Sequence, residues 1–328
     1  MGLSCNQIIT LMLLEGFGSK TVLKIGNYAE KNGIAIENLN DFLDLVKFVS
    51  PGKRSKALQI SDLKAAQEKT NRILSINERL GIGTLSYFDS NFPALLKNTV
   101  NDAGRLDPPA IVFFKGNIDA LCKDSIAIIG TRNASENALN AATFFAAEFV
   151  KKEFNIISGL AVGCDTSAHK GALLAGGITT AVLAHGLDTV FPPENARLAN
   201  EIIENNGILI SEYPVGTDVT PYTLVARDRL QASLSMGLIV IQTGINGGSM
   251  HAANAAFLSH KPVFAVYYHD VCTSNNENTI GNSLLVKEKK ASYISVGDDL
   301  TQLFKQISNN KNMSEMAEIE NSIIKFEL

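Results

Sequence analysis

Five stretches share one arrangement: SIAIIGTR (125–132), NIISGLAVGCD (155–165), TTAVLAHGLD (179–188), ILISEYP (208–214) and LIVIQTGINGGS (238–249). Each is a short apolar run that stops at a turn of Gly, Ser or Thr. A run without polar alternation marks a strand buried on both faces. Helical patterns fill the intervals, so the expected order is strand, helix, strand, in one parallel sheet with right-handed crossovers. Strands are expected near 126–130, 156–158, 179–184, 208–210, 238–242 and 262–267, with AIVFFKG (110–116) as a further strand. Each turn opens a helix, and free N–H groups at a helix start carry partial positive charge and favour phosphate. Five such turns at one sheet edge predict a grip on something phosphorylated.

Outward from that core, residues 1–75 read as a small helical domain. Gly16-Phe17-Gly18 sits between two helical patterns, either as a tight turn in a bundle or as the hairpin of a helix-hairpin-helix that touches nucleic-acid backbone. The sheet domain is expected over 76–303, and 304–328 reads as a polar, weakly amphipathic tail. Asn133 with Glu136 has the spacing of a helix capping box.

The 328 residues carry a net charge of −4, which argues against a broad nucleic-acid coat and leaves room for a focused basic pocket. Between 125 and 270 there are eight Lys/Arg against twelve Asp/Glu, so an anion site there must be made by geometry. Cys5, Cys122, Cys164 and Cys272 form no CxxC pair and no metal spacing, which fits free thiols in a reduced cytoplasmic setting. No stretch approaches a membrane span, and no metal or cofactor is expected.

Gly130-Thr131-Arg132 offers a close backbone approach, a hydroxyl donor and a planar cation matched to phosphate oxygens. Ser158 and Gly159 open a second small-residue loop. Asp165 is expected to cap the helix that follows, and Lys170 to reach an anion from one turn further in. His169 is read as a structural histidine. Gly186 suggests another close approach. Arg227 and Arg229 cannot share one helix face, so one should point to the site and the other to an internal carboxylate such as Glu212. Gly247-Gly248-Ser249 opens the last helix with its N–H groups and a hydroxyl toward a ligand. GxGxxG is absent, so the dinucleotide fingerprint is missing. No catalytic acid–base pair stands out.

AIIGTR, SGLAVGCDTSAH, AVLAHGLDTVFPPEN, LISEYP, ARDRL, GGSM and GNSLL, in this order, resemble the DNA-processing protein A family, also called DprA or Smf. The resemblance covers about 80–295. It implies an α/β fold, an extended Rossmann-like parallel sheet flanked by helices, with no C-terminal winged helix expected in this chain. It implies a non-enzymatic protein that binds and protects single-stranded DNA, dimerises, and helps load a RecA-type recombinase in recombination or natural transformation. Carried over by position, Gly130, Thr131, Arg132, Ser158, Gly159, Arg227, Arg229, Gly248 and Ser249 match the family's binding turns. This sequence departs from the pattern at Val162, where an Arg is usual, and at Asp228, where an Asn is usual. Leu224-Val225 replaces a Phe-Pro, removing the expected base-stacking ring, for which Tyr222 is the candidate substitute. The alternative reading is a nucleotide sensor or nucleotide hydrolase on the same fold. The hydrolase lacks the carboxylate expected after the final glycine loop, where Met250, His251 and Ala252 stand.

Overall fold

The structure, a computed structural model, describes residues 2–274 and 276–309. The expected tail therefore lies, from residue 310 on, outside the described residues. Five helices come first: α1 (Cys5–Met12), α2 (Ser19–Lys31), α3 (Leu39–Val49), α4 (Lys53–Ala57) and α5 (Ile60–Leu80). They are followed by β1 (Gly83–Ser86), α6 (Ala94–Lys97), β2 (Ile111–Gly116), β3 (Ser125–Ile129), α7 (Glu136–Val150), β4 (Asn155–Ser158), α8 (Cys164–Leu174), β5 (Thr179–Leu183), α9 (Ala196–Glu204) and β6 (Ile208–Ser211). The chain continues through α10 (Pro221–Leu234), β7 (Leu238–Val240), α11 (Ser249–Leu258), β8 (Val263–Val266), α12 (Val271–Ser274), α13 (Ile280–Lys287) and β9 (Ser292–Ile294).

Among the described residues, one nine-stranded sheet runs in the order β1-β2-β6-β5-β4-β3-β7-β8-β9. From β6 to β9 every pair is parallel, while β2 lies antiparallel to β6 and β1 antiparallel to β2. The chain starts the parallel part at β3, builds outward through β4, β5 and β6, then returns to lay β7 against the other side of β3. The order thus reverses between β3 and β7. In an open α/β sheet that reversal leaves a crevice outside the carboxyl ends of the strands, where ligands bind.

Both faces of the central strands are dry, which explains their unbroken apolar runs. Ile126 and Ile128 pack with Phe145 and Phe149 of α7 on one face, while Ala127 and Ile129 meet Leu230 of α10 and Ala253 of α11 on the other. Further along the sheet, Ile111, Phe113, Leu183 and Leu209 share a core with Ile8, Val22, Phe42 and Leu63 of the N-terminal helices. Leu63 is fully buried on the inner face of the otherwise polar helix α5.

Two caps differ from their sequence reading. Asn133 and Glu136 make no capping box. The cap of α7 is Ser135, whose hydroxyl accepts from Ala138 N at 3.3 Å. Asp165 does not cap α8. Its carboxylate turns back to accept from Gly159 N at 3.1 Å and Ala161 N at 3.4 Å, so it braces the preceding loop.

Candidate anion-binding cleft

The crevice at the β3/β7 reversal is a cleft of about 590 Å³. Ile129 to Asn133 form one wall, and Thr243, Gly244 and Asn246 to Ser249 form the opposite one. Leu224, Val225, Arg227, Asp228 and Gln231 of α10 supply the third side. The two walls are tied by Thr131 N, which donates to Gln242 O at 2.7 Å and carries the β3–β7 pairing one step beyond the strands. Asn282 anchors the glycine loop from below, accepting from Thr243 N at 2.9 Å and donating to Ile241 O at 2.9 Å and Val266 O at 3.0 Å.

α11 has no side-chain cap, and among the described residues nothing accepts from the N–H of Gly248 or Ser249. Gly130 and Gly248 are glycines for different reasons. A Cβ at Gly130 would lie 2.4 Å from Cys164 Sγ, so internal packing demands it. A Cβ at Gly248 would meet nothing within 4 Å, and its φ of −54° is ordinary. The protein itself leaves room there, at the mouth of a helix dipole that opens on the cleft. Arg132 stands exposed on the facing wall with no carboxylate partner among the described residues.

Charges inside the cleft are mixed. Arg132 and Arg227 line it together with Asp165, Asp228 and Glu277. Arg227 is buried and spends its guanidinium on the scaffold, donating to Gly159 O at 2.8 Å, to Val182 O and, through Nε, to Asp228 Oδ1 at 3.1 Å. Burial raises the Asp165 carboxyl above the usual range, against the pull of Arg227 and its N–H donors. Burial likewise pushes Asp228 up to about 6, opposed by Arg227 and reinforced by Asp165. Because the folded value exceeds that of a free Asp, near 3.9, the associated stability is fully present below pH 4 and is lost as pH rises through 6. Asp228→Asn should therefore gain stability relative to the parent chain between pH 4 and 6, by on the order of 2–3 kcal/mol, with a constant difference above pH 7. Denaturant unfolding of both proteins across that range reads it, and a pH-independent difference would contradict it.

Of the residues expected at the site, Gly130, Thr131, Arg132, Arg227, Gly247, Gly248 and Ser249 come together around the cleft. The others are placed elsewhere. Arg229 is buried and holds Glu212 through two bonds of 2.7 Å, with Nε 3.0 Å from Asp107, so it is the arginine paired with the expected internal carboxylate, and Arg227, though it borders the cleft, is equally buried and bonded to the scaffold. Lys170 is exposed on α8, outside the lining. The Ser158 hydroxyl is fully buried and donates to Ile128 O at 2.7 Å. Gly186 packs under Pro214 and Asp188 and donates its N–H to Thr217 O. Gly159 gives its N–H to Asp165 and borders a side cavity of about 180 Å³ rather than the main cleft. Tyr222 is 79% exposed at the start of α10 and lines neither cavity. His169 is structural as expected, buried and pushed down to about 3 by burial, with Nδ1 2.6 Å from Thr179 Oγ1.

Several groups escaped the sequence reading. Asn133, Asn246 and Asn278 also line the cleft, with the Asn278 amide donating to Asn133 O at 3.4 Å. Phe191, 40% exposed, borders the side cavity together with Arg132, Val162 and Leu224. The FPPEN segment contains it, but Asn195 gave that segment a structural role: its amide donates to Leu160 O at 2.8 Å and Thr166 Oγ1 at 2.9 Å, fixing the loop after β4.

The reversal-point crevice places the chain among the open α/β sheets that hold ligands at the carboxyl ends of their strands. Residues 83–305 match the family model of DNA recombination-mediator protein A, and the chain belongs to that family. It is 32% identical over 207 residues to the DNA processing protein DprA of Bacillus subtilis, covering 63% of this chain and 67% of the relative. It is 36% identical over 160 residues to DprA of Streptococcus pneumoniae, where the match spans 49% of this chain and 56% of the relative. With the protein Smf of Escherichia coli the match is 34% over 180 residues, 54% of this chain and 46% of the relative. The chain thus spans about half the length of the last two. The crystal structure of S. pneumoniae DprA superposes with a TM-score of 0.71 at 26% identity, covering 90% of this chain and 95% of that one. DNA processing protein A from Helicobacter pylori, whose structure was described for its single-stranded DNA binding mode, gives a TM-score of 0.55 at 27% identity over 72% of this chain and 96% of that one. Among the described residues no helix is long and apolar enough to cross a membrane.

Proposed function

We propose that this chain binds single-stranded DNA in the β3/β7 cleft and acts as a non-enzymatic recombination mediator. One strand phosphate sits at the start of α11, against the N–H groups of Gly248 and Ser249, with Arg132 closing over it. The uncapped, open mouth of α11 facing an unpaired arginine is the observation that carries this reading. Membership of the recombination-mediator family and the DNA-binding neighbour support it. A protein of this kind shields the strand and passes it to a RecA-type recombinase in the cytoplasm, working as a homodimer. Binding through backbone contacts is salt-dependent. Fluorescence anisotropy with labelled oligonucleotides over a salt series tests it, with mononucleotides as competitors. Effective competition by a mononucleotide would favour the nucleotide-sensor alternative, and salt-independent or absent binding would remove the proposal.

Phe191 takes the place of the stacking ring that Leu224-Val225 lacks. It stands beside Arg132 and Leu224 at the cavity rim, where a base next to a bound phosphate can lie on its face. Phe191→Ala should weaken oligonucleotide binding by about 1–3 kcal/mol, the usual worth of one stacked base. The half-open ring contributes little to the core, so the melting temperature should hardly move. Tyr222→Ala serves as the comparison, with a smaller loss expected. The reverse order in the two affinities would return the stacking role to Tyr222.

A further inference from the structure

The cleft contains a group that a pure phosphate trap would exclude. Asp228 lines the same cavity as Arg132, Gly248 and Ser249. Its Oδ1 accepts from Arg227 Nε at 3.1 Å, while no donor among the described residues reaches Oδ2. A carboxylate only accepts hydrogen bonds and repels phosphate, so a strand that displaces water from the free oxygen is best accommodated when it brings a donor there. In single-stranded DNA the Watson–Crick edges of the bases are free to supply one. Cytosine presents an N4 amino group, whose usual protein partner is a carboxylate. Thymine, of the same size, presents a carbonyl there, and its single N3–H lies between two carbonyl oxygens that face a carboxylate unfavourably. An Asn at this position could turn its amide to suit either base, whereas Asp228 cannot.

We propose that Asp228 is a specificity-determining residue: its unpaired carboxylate oxygen makes the strand-binding cleft prefer bases bearing an amino group, cytosine over thymine. This rests on the single-stranded DNA reading and adds a base preference to it. The neighbouring Arg227 keeps the carboxylate in place, and the phosphate end of the cleft supplies the binding that Asp228 itself opposes.

The test is anisotropy at pH 7.5 with the full chain and three oligomers of equal length: oligo-dC, oligo-dT and an oligomer of N4,N4-dimethyl-deoxycytidine, which keeps the ring but has no amino hydrogen. The expected result is that oligo-dC binds about tenfold to a hundredfold more tightly than either of the others, the worth of one hydrogen bond to a charged group. In Asp228→Asn the dC/dT ratio should fall toward one while affinity for oligo-dT rises. Equal binding of all three oligomers by the parent chain would overturn the base preference and leave strand binding intact. A dC preference that survives in Asp228→Asn, or in the dimethyl oligomer, would overturn the assignment to Asp228. Failure of every oligomer to bind would remove the strand-binding reading and this inference together. The comparison among oligomers needs only the parent chain, so it holds even if the variant does not fold.

Discussion

Arg229→Ala is expected to lower the stability of the fold by about 3–5 kcal/mol, the cost of leaving a buried charge without its partner. Arg229 is locked between Glu212, which follows β6, and Asp107, which precedes β2, with a further bond to Ala226 O. Burial works against its charge, but Glu212 and Asp107 outweigh that and raise its pKa above the ordinary arginine value. The pair fastens α10 to the antiparallel edge of the sheet, and α10 carries one side of the cleft. Removing the guanidinium strands the Glu212 carboxylate, which is 8% exposed, in a dry environment. Denaturant unfolding of Arg229→Ala reads the loss. Glu212→Gln combined with Arg229→Met should lose much less than Arg229→Ala, because the buried carboxylate is removed with its partner and the one that remains, Asp107, is 27% exposed. A loss below about 1 kcal/mol for Arg229→Ala would show that the pair is not closed in solution. The fraction of Arg229→Ala that remains folded should bind DNA with nearly unchanged salt dependence, since this arginine does not reach the cleft.

Arg132→Glu is expected to do the opposite. Its side chain is exposed and holds no internal partner, so the unfolding transition should stay where it is. Oligonucleotide affinity at low salt should fall about tenfold to a hundredfold, since a charge-assisted bond is lost and a carboxylate now faces the phosphate. Arg132→Ala should fall less and should lower the slope of log K against log salt by about 0.7, one single-strand phosphate contact. Unaltered binding in both variants would take the phosphate away from the β3 turn.

Much of this was legible in the chain and some was not, for a consistent physical reason. The parallel sheet could be read because β3, β4, β5 and β7 are buried on both faces and show it as unbroken apolar runs. The place of the glycine loop 247–249 at a helix start could be read because its two glycines follow the buried run of β7 and precede an apolar helical pattern. What sequence does not show is which way a polar side chain turns. Ser158, Asp165, Asn195, Glu212, Arg229 and Asn282 sit in or beside the same motifs as the cleft residues, yet they bond to the backbone or to each other and hold the loops in place. A small-residue motif reads the same whether its hydroxyl faces a ligand or a carbonyl. Arg227 and Arg229 were separable in principle by helix geometry, but only the position of Glu212 in space decides that Arg229 is the one it pairs with, and the burial of Arg227 against Gly159 O and Val182 O has no sign in the sequence. That Phe191 adjoins Arg132 and Arg227 could not be read because it lies between β5 and β6, far in sequence from both.

The central claim is that a strand phosphate occupies the mouth of α11 opposite Arg132. A crystal structure with a six-nucleotide oligo-dC tests it most directly. Phosphate oxygens should lie within hydrogen-bonding distance of the Gly248 and Ser249 amides and of the Arg132 guanidinium, with a base against Phe191. A strand lying along the N-terminal helices or the antiparallel edge of the sheet, with the β3/β7 cleft empty, would contradict it.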